Sequence, residues 1–478
     1  MDVSATLADP LLLLAVRKRR LSKTTKHPIK PQMIIQGDAL KELKKLKPNS
    51  VDAVVTDPPY GLEFMGKKWD KFKKINSGRK REVNEITAIS RGPEKYEGGS
   101  TLQEFVANWA TECLRVLKPG GYLLSFAGTR TQHRIAAGIE DAGFEIRDMI
   151  AWVYGSGFPK SLNIGKAVDK LQGNERKGIE PTGRYKYSFK DHKGKFVNTR
   201  DADGNVRVNV GLTKGTSEWE GWGTALKPAL EPITVARKPL SEKTVAENVL
   251  KWGTGGIDID GCRVGYTQPG EAEFLNKRSG SSKSTIWQDD AERIKLQQNT
   301  QGRFPANLIH DGSDEVVELF PNTVPTSYAT NKTVKGGMFN YPGHGTEKIR
   351  DETRSASRFF YCAKASKSER NMGCEGLEEK TKSHITSQNF ENALTGSGNI
   401  RNIVHKNNHP TVKPIALMEY LVKLVSRKGA TVLDPFAGSG STGIACKKLD
   451  REFIGIEREE DYCKIAEARI NSISEKLI

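Results

Sequence analysis

Residues 51–60, with the sequence Val-Asp-Ala-Val-Val-Thr-Asp-Pro-Pro-Tyr, constrain the fold most strongly because a buried strand has to end there. The valines form a short β-branched apolar run, which is typical of a buried strand. Pro58 and Pro59 stop the strand, since proline donates no hydrogen bond to a sheet and also restricts the residue before it. Asp57 and Tyr60 flank the prolines, so a carboxylate, two rigid rings and an aromatic ring meet where the strand ends. In open α/β sheets that edge is where ligands bind.

This stretch suits the chemistry of an exocyclic amino group on a nucleobase, which is a poor nucleophile because its lone pair is delocalised into the ring. Asp57 can accept one N–H of that group, and the Pro58 carbonyl can accept the other. Both contacts favour the tetrahedral nitrogen on which charge develops. Tyr60 offers a flat face for a base taken out of its stack. The alternative is an ordinary turn, because Asp-Pro and Pro-Pro are common turn dipeptides.

Length, net charge and cysteine spacing limit the classes of protein to which the chain can belong. A chain of 478 residues is long enough for a large core and two lobes. The net charge of +17 favours a polyanionic partner, although solubility alone would also explain it. The six cysteines include no Cys-x-x-Cys pair, which argues against a zinc ribbon or a disulfide framework and for a reducing cytosol. The leucines at 11–14 are too few to span a membrane, and residues 1–30 are predicted to form a basic arm.

Strands and amphipathic helices alternate on both sides of residues 51–60. Residues 33–60 form a β-α-β unit, and a capping box, Thr101-x-x-Glu104, begins a helix after a basic stretch. A strand at 122–126, a helix at 131–142 and a strand at 144–153 follow. This alternation predicts a doubly wound α/β layer.

The C-terminal residues repeat the pattern around a glycine-rich turn. A helix from 415 to 425 precedes a strand at 431–433, and a further strand occupies 453–457. Between those strands lies Gly438-x-Gly440-x-x-Gly443, whose glycines let a ligand approach the backbone closely. Glu457 ends the second strand, where a carboxylate accepts hydrogen bonds from ribose hydroxyls. The same fingerprint would suit a dinucleotide-dependent dehydrogenase.

The order of these elements favours one sheet built from both ends of the chain. Only one helix follows Glu457, so the strands at 33–153 must complete the C-terminal half-sheet, which implies a circular permutation. One edge would then carry both the glycine turn and Asp57. A dehydrogenase would need an acid or base beside the hydride, but no histidine or lysine lies at a strand end near either motif.

The central residues have a different composition. Lysines and arginines at 63–99 crowd around Trp69 and Phe72, which fits a phosphate-contacting loop or a solvated insertion about equally. The position directly after Tyr60 favours the phosphate-contacting loop. Residues 155–375 are rich in Gly, Pro, Lys and Asn, with aromatic and basic residues interleaved at 184–190, 219–222 and 358–361. We interpret them as an inserted recognition lobe; the alternative is an accessory domain whose aromatic residues form its core. Residues 376–408 are predicted to form a flexible linker.

The motifs taken in order carry a resemblance to a known family. Asp57-Pro58-Pro59-Tyr60, a large variable region, then residues 409–414 (His-Pro-Thr-Val-Lys-Pro) and 436–440 (Phe-x-Gly-x-Gly) resemble the β-class amino DNA methyltransferases. The resemblance covers about 31–154 and 405–478, and the middle corresponds by position to the target-recognition region. It implies a circularly permuted, mainly parallel sheet of the S-adenosylmethionine-dependent methyltransferase type. It also implies methyl transfer to adenine N6 or cytosine N4, with S-adenosylmethionine as cofactor and without a metal.

Site residues follow from the resemblance by position. The residues that would hold the target base are Asp57, Pro58, Pro59 and Tyr60. Those that would bind the cofactor are Asp38 near its adenine, Glu457 at its ribose, Thr411, Lys413 and Pro414 at its methionyl end, and Asp434, Phe436, Ala437, Gly438, Ser439 and Gly440 along the glycine turn.

The resulting division is a basic arm (1–30), a catalytic half (31–154), an inserted recognition region (155–375), a linker (376–408) and a cofactor-binding half (409–478). The first hypothesis is a cytoplasmic, adenine-N6-specific methyltransferase acting on duplex DNA. Asp57 rather than serine favours adenine in this family, with cytosine N4 or an RNA amino group as neighbouring chemistries. An NAD-dependent oxidoreductase and a non-catalytic nucleic-acid-binding protein are the other classes. A homodimer and a cognate restriction endonuclease are partners that the resemblance leaves open.

Overall fold

The computed structural model describes residues 33–61, 101–155, 157, 161–178, 213–266, 302–323, 354–363, 368–378 and 404–473. It also describes the backbone of short strand segments at 72–74, 94–96, 189–190, 196–197, 327–333, 342–348 and 380–381. The predicted N-terminal arm, most of the basic stretch at 63–99 and most of the predicted linker lie outside the described residues.

A sheet of nine strands dominates the described part of the chain. In chain order its strands are β1 (Met33–Gln36), β2 (Val51–Thr56), β3 (Leu117–Phe126), β4 (Glu145–Val153), β5 (Leu230–Arg237), β6 (Leu308–His310), β7 (Tyr361–Cys362), β8 (Thr431–Asp434) and β9 (Glu452–Glu457). Their order in space is β1-β9-β8-β2-β3-β5-β4-β6-β7. All neighbouring strands are parallel except at β5, which runs antiparallel to both β3 and β4.

Helices and short ribbons complete the described structure. The helices are α1 (Ala39–Leu43), α2 (Leu102–Val116), α3 (Gln132–Asp141), α4 (Ile164–Gln172), α5 (Val245–Trp252), α6 (Asp314–Val317), α7 (Ile415–Val425), α8 (Ser441–Lys448) and α9 (Glu460–Asn471). Single 3₁₀ turns lie at Asp260–Cys262, Ala356–Phe359 and Ser368–Arg370. Two-stranded ribbons pair 72–74 with 94–96, 177–178 with 213–214, 189–190 with 196–197, 322–323 with 354–355, 327–333 with 342–348, and 380–381 with 404–405.

Helix α2 forms as the sequence predicts. The Thr101 hydroxyl accepts the Glu104 N–H, and the Glu104 carboxylate accepts the Thr101 N–H at 2.6 Å, so the capping box is complete. The apolar residues of the predicted face are all buried against the sheet: Leu102, Phe105, Trp109, Cys113 and Val116. Helical spacing of apolar residues therefore located this helix correctly.

The two ends of the chain form one sheet, as predicted. Strands β8 and β9 from the C-terminus lie between β1 and β2 from the N-terminus. Ala53 pairs with Val432, and the Asp52 carboxylate accepts the Thr431 N–H at 2.9 Å. At the carboxyl ends of the same strands, the Thr56 hydroxyl donates to Asp434 Oδ1 at 2.7 Å. The predicted doubly wound, circularly permuted, mainly parallel sheet is confirmed.

This arrangement places a crevice between β2 and β8. From β8 the chain continues to β9 on one side, whereas from β2 it continues to β3 on the other. Connections that diverge in this way open a gap beyond the carboxyl ends of the two strands, which is where α/β sheets bind ligands. Residues 57–60 and the glycine turn after Asp434 both begin at this gap.

Three strands of the sheet come from residues 155–375, the region predicted to be an irregular insert. Strand β5 fills the space between β3 and β4, while β6 and β7 extend the sheet beyond β4. Ile233 and Ala236 of β5 are fully buried, because the strand has neighbours on both sides. The sheet therefore includes strands from beyond residue 155. The division of the chain into domains remains a prediction.

Two further features of the described residues concern the cysteines and the length of the helices. All six cysteines are described, and each is a free thiol. No helix in the described ranges is both long and apolar enough to span a membrane.

We expect Thr56→Val to lower the free energy of unfolding by about 1–3 kcal/mol, because the buried Asp434 carboxylate would lose a hydrogen-bond donor. Urea titration monitored by circular dichroism measures this change. Thr234→Val is the matched control: Thr234 is 1% exposed on β5, and its hydroxyl finds no partner among the described residues. That variant should change the free energy by less than about 1 kcal/mol. Equal destabilisation by both substitutions would contradict a specific contribution from Thr56.

Candidate active site

Asp57 lies at the carboxyl edge of the sheet, one residue beyond β2. Its Oδ1 accepts a hydrogen bond from the Tyr60 hydroxyl at 2.5 Å, and its Oδ2 pairs with the Lys413 ammonium at 3.0 Å. Pro58 is buried, which fixes the backbone between the two side chains. Asp57 itself stays partly exposed, with 22% of its side chain accessible. A partner could therefore still reach the carboxylate from solvent.

Lys413 occupies the centre of this cluster. Its ammonium lies 2.8 Å from Glu231 Oε2 and 3.3 Å from the Tyr60 hydroxyl, in addition to its pair with Asp57. It also lies 4.7 Å from the centre of the Phe126 ring, within cation–π range. Burial alone lowers the pKa of Lys413, but the charges of Asp57 and Glu231 outweigh burial and raise it on balance. The ammonium is therefore protonated at neutral pH.

Glu231 and Tyr154 belong to the same cluster and were not predicted from the sequence. Because β5 is antiparallel to its neighbours, its first residues lie where β3 and β4 end, and Glu231 therefore faces the crevice. The Tyr154 hydroxyl donates to Glu231 Oε1 at 3.4 Å. Burial, followed by the charges of Asp57 and Glu231, raises the pKa of Tyr60 well above its usual value. Tyr60 is thus a neutral hydrogen-bond donor.

The glycine turn joins β8 to α8 and requires glycine at two positions. Gly438 and Gly440 have φ angles of 51° and 75°, in the left-handed region that favours glycine. A Cβ at Gly438 would lie 2.8 Å from His409 Nε2, and one at Gly440 would lie 2.9 Å from the Cα of Ala466. The turn is therefore closely packed on both sides.

Asp434 connects this turn to β2. Its buried carboxylate accepts hydrogen bonds from the Thr442 hydroxyl at 2.6 Å and the Phe436 N–H at 3.1 Å, as well as from Thr56. Burial raises the pKa of Asp434 to about 6, against the opposing effect of these hydrogen bonds. Phe436 in turn packs edge-on against the Trp109 ring, with centroids 5.6 Å apart. Asp434 thus holds the turn in a fixed position relative to Asp57.

Glu457 closes the other side of the turn. Its Oε2 accepts the Gly438 N–H at 2.9 Å, and its Oε1 accepts the Glu459 N–H at 2.9 Å. Burial raises the pKa of Glu457. Asp38 lies just past the end of the neighbouring strand β1 and caps α1 by accepting the Lys41 N–H at 3.2 Å. The two acidic residues predicted to bind a nucleoside therefore follow adjacent parallel strands.

His409 is a third residue of the site, after Glu231 and Tyr154, whose role was not predicted from the sequence. Its Nε2 edge lies against Gly438, and its Nδ1 is hydrogen-bonded to the carbonyl of Thr411. Tyr462 packs edge-on against the imidazole, with ring centroids 4.5 Å apart. Burial lowers the pKa of His409 to about 4, so the ring is neutral at pH 7. This ring packs the segment that carries Lys413 against the glycine turn.

A buried arginine supports the turn from the opposite side. Arg469 of α9 is 0% exposed and donates to the carbonyl and hydroxyl oxygens of Ser439, and to the carbonyl of Glu369. Burial lowers its pKa to about 10. Ala437 is buried beside this contact. The backbone of the turn is thus fixed by α9 as well as by Asp434.

The structure brings the predicted site residues to one edge of the sheet in two linked groups. The first surrounds the carboxylate and contains Asp57, Pro58, Pro59, Tyr60 and Lys413. The second surrounds the glycine turn and contains Asp38, Asp434, Phe436, Ala437, Gly438, Ser439, Gly440 and Glu457. Thr411 and Pro414 belong to the segment that joins the groups, and Pro414 caps α7. Lys413, predicted to lie at the methionyl end of a cofactor, makes its ion pairs with Asp57 and Glu231.

No group of three or more His, Cys, Asp or Glu side chains within the described ranges is arranged to hold a metal ion.

This chain is similar to a known protein family and to several known proteins. The family described as DNA methylase matches residues 51–468. The Type II methyltransferase M.HindIII of Haemophilus influenzae is 23% identical over 451 residues, which cover 91% of this chain and 94% of that protein. The Type II methyltransferase M2.DpnII of Streptococcus pneumoniae is 46% identical over 67 residues, covering 14% of this chain and 25% of that protein. The crystal structure of the M1.HpyAVI–SAM complex aligns with a TM-score of 0.33 and 16% identity, covering 92% of this chain and 98% of that one.

Acidification should destabilise the folded protein through His409. Its folded pKa of about 4 lies below the usual 6.5, so between these values the unfolded chain binds the proton more readily and stability falls as the pH drops. The loss from this group is about 2 kcal/mol between pH 7 and pH 5. His409→Gln should remove that part of the pH dependence, as measured by urea unfolding at both pH values. His133→Gln, at an exposed position on α3, is the control and should leave the wild-type pH dependence intact.

Proposed function

The chain belongs to the DNA methylase family of amino methyltransferases, and we propose that it transfers a methyl group from S-adenosylmethionine to the N6 amino group of adenine in duplex DNA. The observation that carries this proposal is the meeting of Asp57 and the glycine turn at one edge of the sheet. The Thr56–Asp434 hydrogen bond of 2.7 Å joins the residues directly before the two motifs. An amino-group acceptor and a nucleoside-binding turn are thereby held side by side.

The glycine turn fits the adenosyl part of the cofactor. Left-handed backbone angles at Gly438 and Gly440 give the turn one closely packed conformation, so its backbone would already be fixed when a ligand arrives. The Glu457 carboxylate accepts backbone N–H groups from Gly438, Arg458 and Glu459. A carboxylate has about four lone-pair sites, so one can still accept a ribose hydroxyl. Asp38 follows the adjacent strand, on the side expected for the adenine ring.

The methionyl part would lie along the segment from Thr411 to Pro414, which the His409 ring packs against the turn. When bound, the cofactor supplies a methyl group that its sulfonium makes strongly electrophilic. The protein therefore has to align the amino nitrogen and exclude water rather than activate the donor.

The residues around Asp57 fit the amino group of the base. The free lone pairs of the Asp57 carboxylate can accept one N–H, and the carbonyl of the buried Pro58 is the second acceptor in this assignment. The Tyr60 ring would stack on the base once the base has left the duplex. Because Tyr60 and Lys413 both donate to Asp57, the carboxylate is held in one orientation before the base arrives. Preorganisation of this kind lowers the cost of reaching the transition state.

The choice of adenine rests on Asp57. In the family that this chain resembles, aspartate at this position favours adenine, whereas serine favours cytosine. Cytosine N4 is the second candidate, because the two amino groups have the same hydrogen-bonding requirement. Product analysis distinguishes the two, since N6-methyladenine and N4-methylcytosine separate by chromatography and mass.

Two further features support a nucleic acid as the substrate. The net charge of +17 favours a polyanion. Trp219 and Trp222 lie together with ring centroids 5.3 Å apart and are 41% and 59% exposed, so this part of the predicted recognition region presents aromatic surface. In contrast, Tyr361 stacks on Tyr420 of α7 and belongs to the packing of the protein. A homodimer and a cognate endonuclease remain predictions.

We predict that Asp57→Ala lowers the rate of methyl transfer by at least about a hundredfold, because the amino group loses its acceptor. Tritium transfer from labelled S-adenosylmethionine to DNA, followed by nucleoside mass spectrometry, measures both rate and product. Asp141→Ala, at an exposed position on α3, is the control and should keep wild-type activity. Unchanged activity in a folded Asp57→Ala protein, or N4-methylcytosine as the wild-type product, would refute the proposed function.

Removal of the Glu457 carboxylate should weaken cofactor binding. We expect Glu457→Ala to bind S-adenosylmethionine about ten- to a hundredfold more weakly, because the ribose hydroxyls lose a charged acceptor. Isothermal titration with S-adenosylmethionine measures this affinity. Glu452→Ala, at the opposite end of β9, should bind as the wild type does. If the two variants bound the cofactor equally well, Glu457 could not be the ribose ligand.

A further inference from the structure

Glu231 is the charged residue of the cluster to which neither sequence motif assigns a role. It enters the site because β5 alone runs against the direction of its neighbours, so the start of β5 lies at the edge where β2 ends. Its carboxylate is held by the Lys413 ammonium at 2.8 Å and by the Tyr154 hydroxyl at 3.4 Å. The Tyr60 hydroxyl lies 3.4 Å from the same carboxylate.

The Lys413 ammonium has three donors, and three acceptors surround it. These are Glu231 at 2.8 Å, Asp57 at 3.0 Å and the Tyr60 hydroxyl at 3.3 Å. The ring of Phe126 covers a further side at 4.7 Å. With every donor engaged, the ammonium cannot move toward Asp57 without weakening its bond to Glu231. Glu231 and Asp57 therefore share one ammonium.

The charge balance of the cluster has a chemical consequence. Asp57 and Glu231 carry two negative charges and Lys413 one positive charge, which leaves one net negative charge beside the amino group. Positive charge develops on the amino nitrogen as it gains a methyl group, and a net negative site stabilises that charge. With Lys413 paired to Asp57 alone, the pair would be neutral and this stabilisation would be lost. The effect is strong because the groups are largely shielded from water.

We propose that Glu231 is a positioning residue for methyl transfer: it shares the Lys413 ammonium with Asp57 and leaves the site with one net negative charge. This inference rests on the proposed function, because it takes Asp57 as the acceptor of the amino group. Glu231 acts through Lys413 and does not touch the base. Its substitution should therefore slow the chemical step without weakening the binding of either substrate.

The test compares Glu231→Gln with Glu145→Gln. Glutamine keeps the shape of the side chain and an acceptor for Lys413 but removes the charge. We expect the single-turnover rate and kcat of Glu231→Gln to fall about tenfold or more, with KM for DNA and for S-adenosylmethionine within about threefold of wild type. Glu145 pairs with Arg237 at the opposite end of β5, so Glu145→Gln should leave the rates and both KM values unchanged. A rise in KM with unchanged kcat would overturn the proposal.

A double-mutant cycle tests the dependence on Lys413. Lys413→Met should lose activity because Asp57 loses the cation that orients it and is repelled by Glu231. Glu231→Gln/Lys413→Met removes that repulsion and restores one net negative charge. The double variant should therefore be more active than the product of the two single losses predicts. Strictly multiplicative losses would show that Glu231 does not act through Lys413. If Glu231→Gln does not fold, the double variant still tests the proposal. The proposal is contradicted if Glu231→Gln/Lys413→Met is no more active than Lys413→Met.

The same assays separate this inference from the proposed function. Wild-type protein is measured alongside, and its product identifies the base. If the wild type forms N4-methylcytosine, the adenine assignment fails while the ratios between variants still test Glu231. If the wild type forms N6-methyladenine and Glu231→Gln matches it in kcat, only the role of Glu231 is refuted.

Discussion

The pairing of β2 with β8 is the constraint on which the rest of the structure depends. It joins strands from opposite ends of the chain, and the hydrogen bond from Thr56 to Asp434 fixes their carboxyl ends relative to each other. Both side chains are buried, so the bond forms in a low-dielectric environment where an unpaired carboxylate would be costly. Asp434 also organises the glycine turn through Thr442 and Phe436. One buried carboxylate thereby sets the distance between the two halves of the site.

The charges around Lys413 determine the orientation of Asp57 in the other half of the site. A buried ammonium is stable only when nearby negative charge offsets its desolvation, and Asp57 and Glu231 supply that charge. The ion pairs orient Asp57 while leaving part of it accessible to solvent. His409 and Arg469 support the glycine turn from two sides by packing and hydrogen bonding. The site is therefore held by groups that lie far apart in the chain, from Asp57 to Arg469.

Much of the fold could be predicted from local patterns. Apolar spacing and the capping box at Thr101 gave the position of α2, and β-branched runs gave β2 and β8, because the residues that decide these elements lie close together in sequence. Strand β5 was missed. Its apolar residues, Ile233 to Ala236, lie in a region rich in glycine, proline and lysine, and one short run cannot be told from a loop by its period.

By itself the sequence determined the residue types at the two motifs: a carboxylate followed by prolines at position 57, and a glycine-rich turn between a strand and a helix at 438–443. It also implied that one sheet joins them, because strands and helices alternate around both motifs. Only the tertiary structure decided that Glu231 faces Asp57 across Lys413 and that His409 lies against the turn. The direction of β5 and the path of residues 409–414 depend on contacts between residues far apart in the chain, and no local pattern records such contacts.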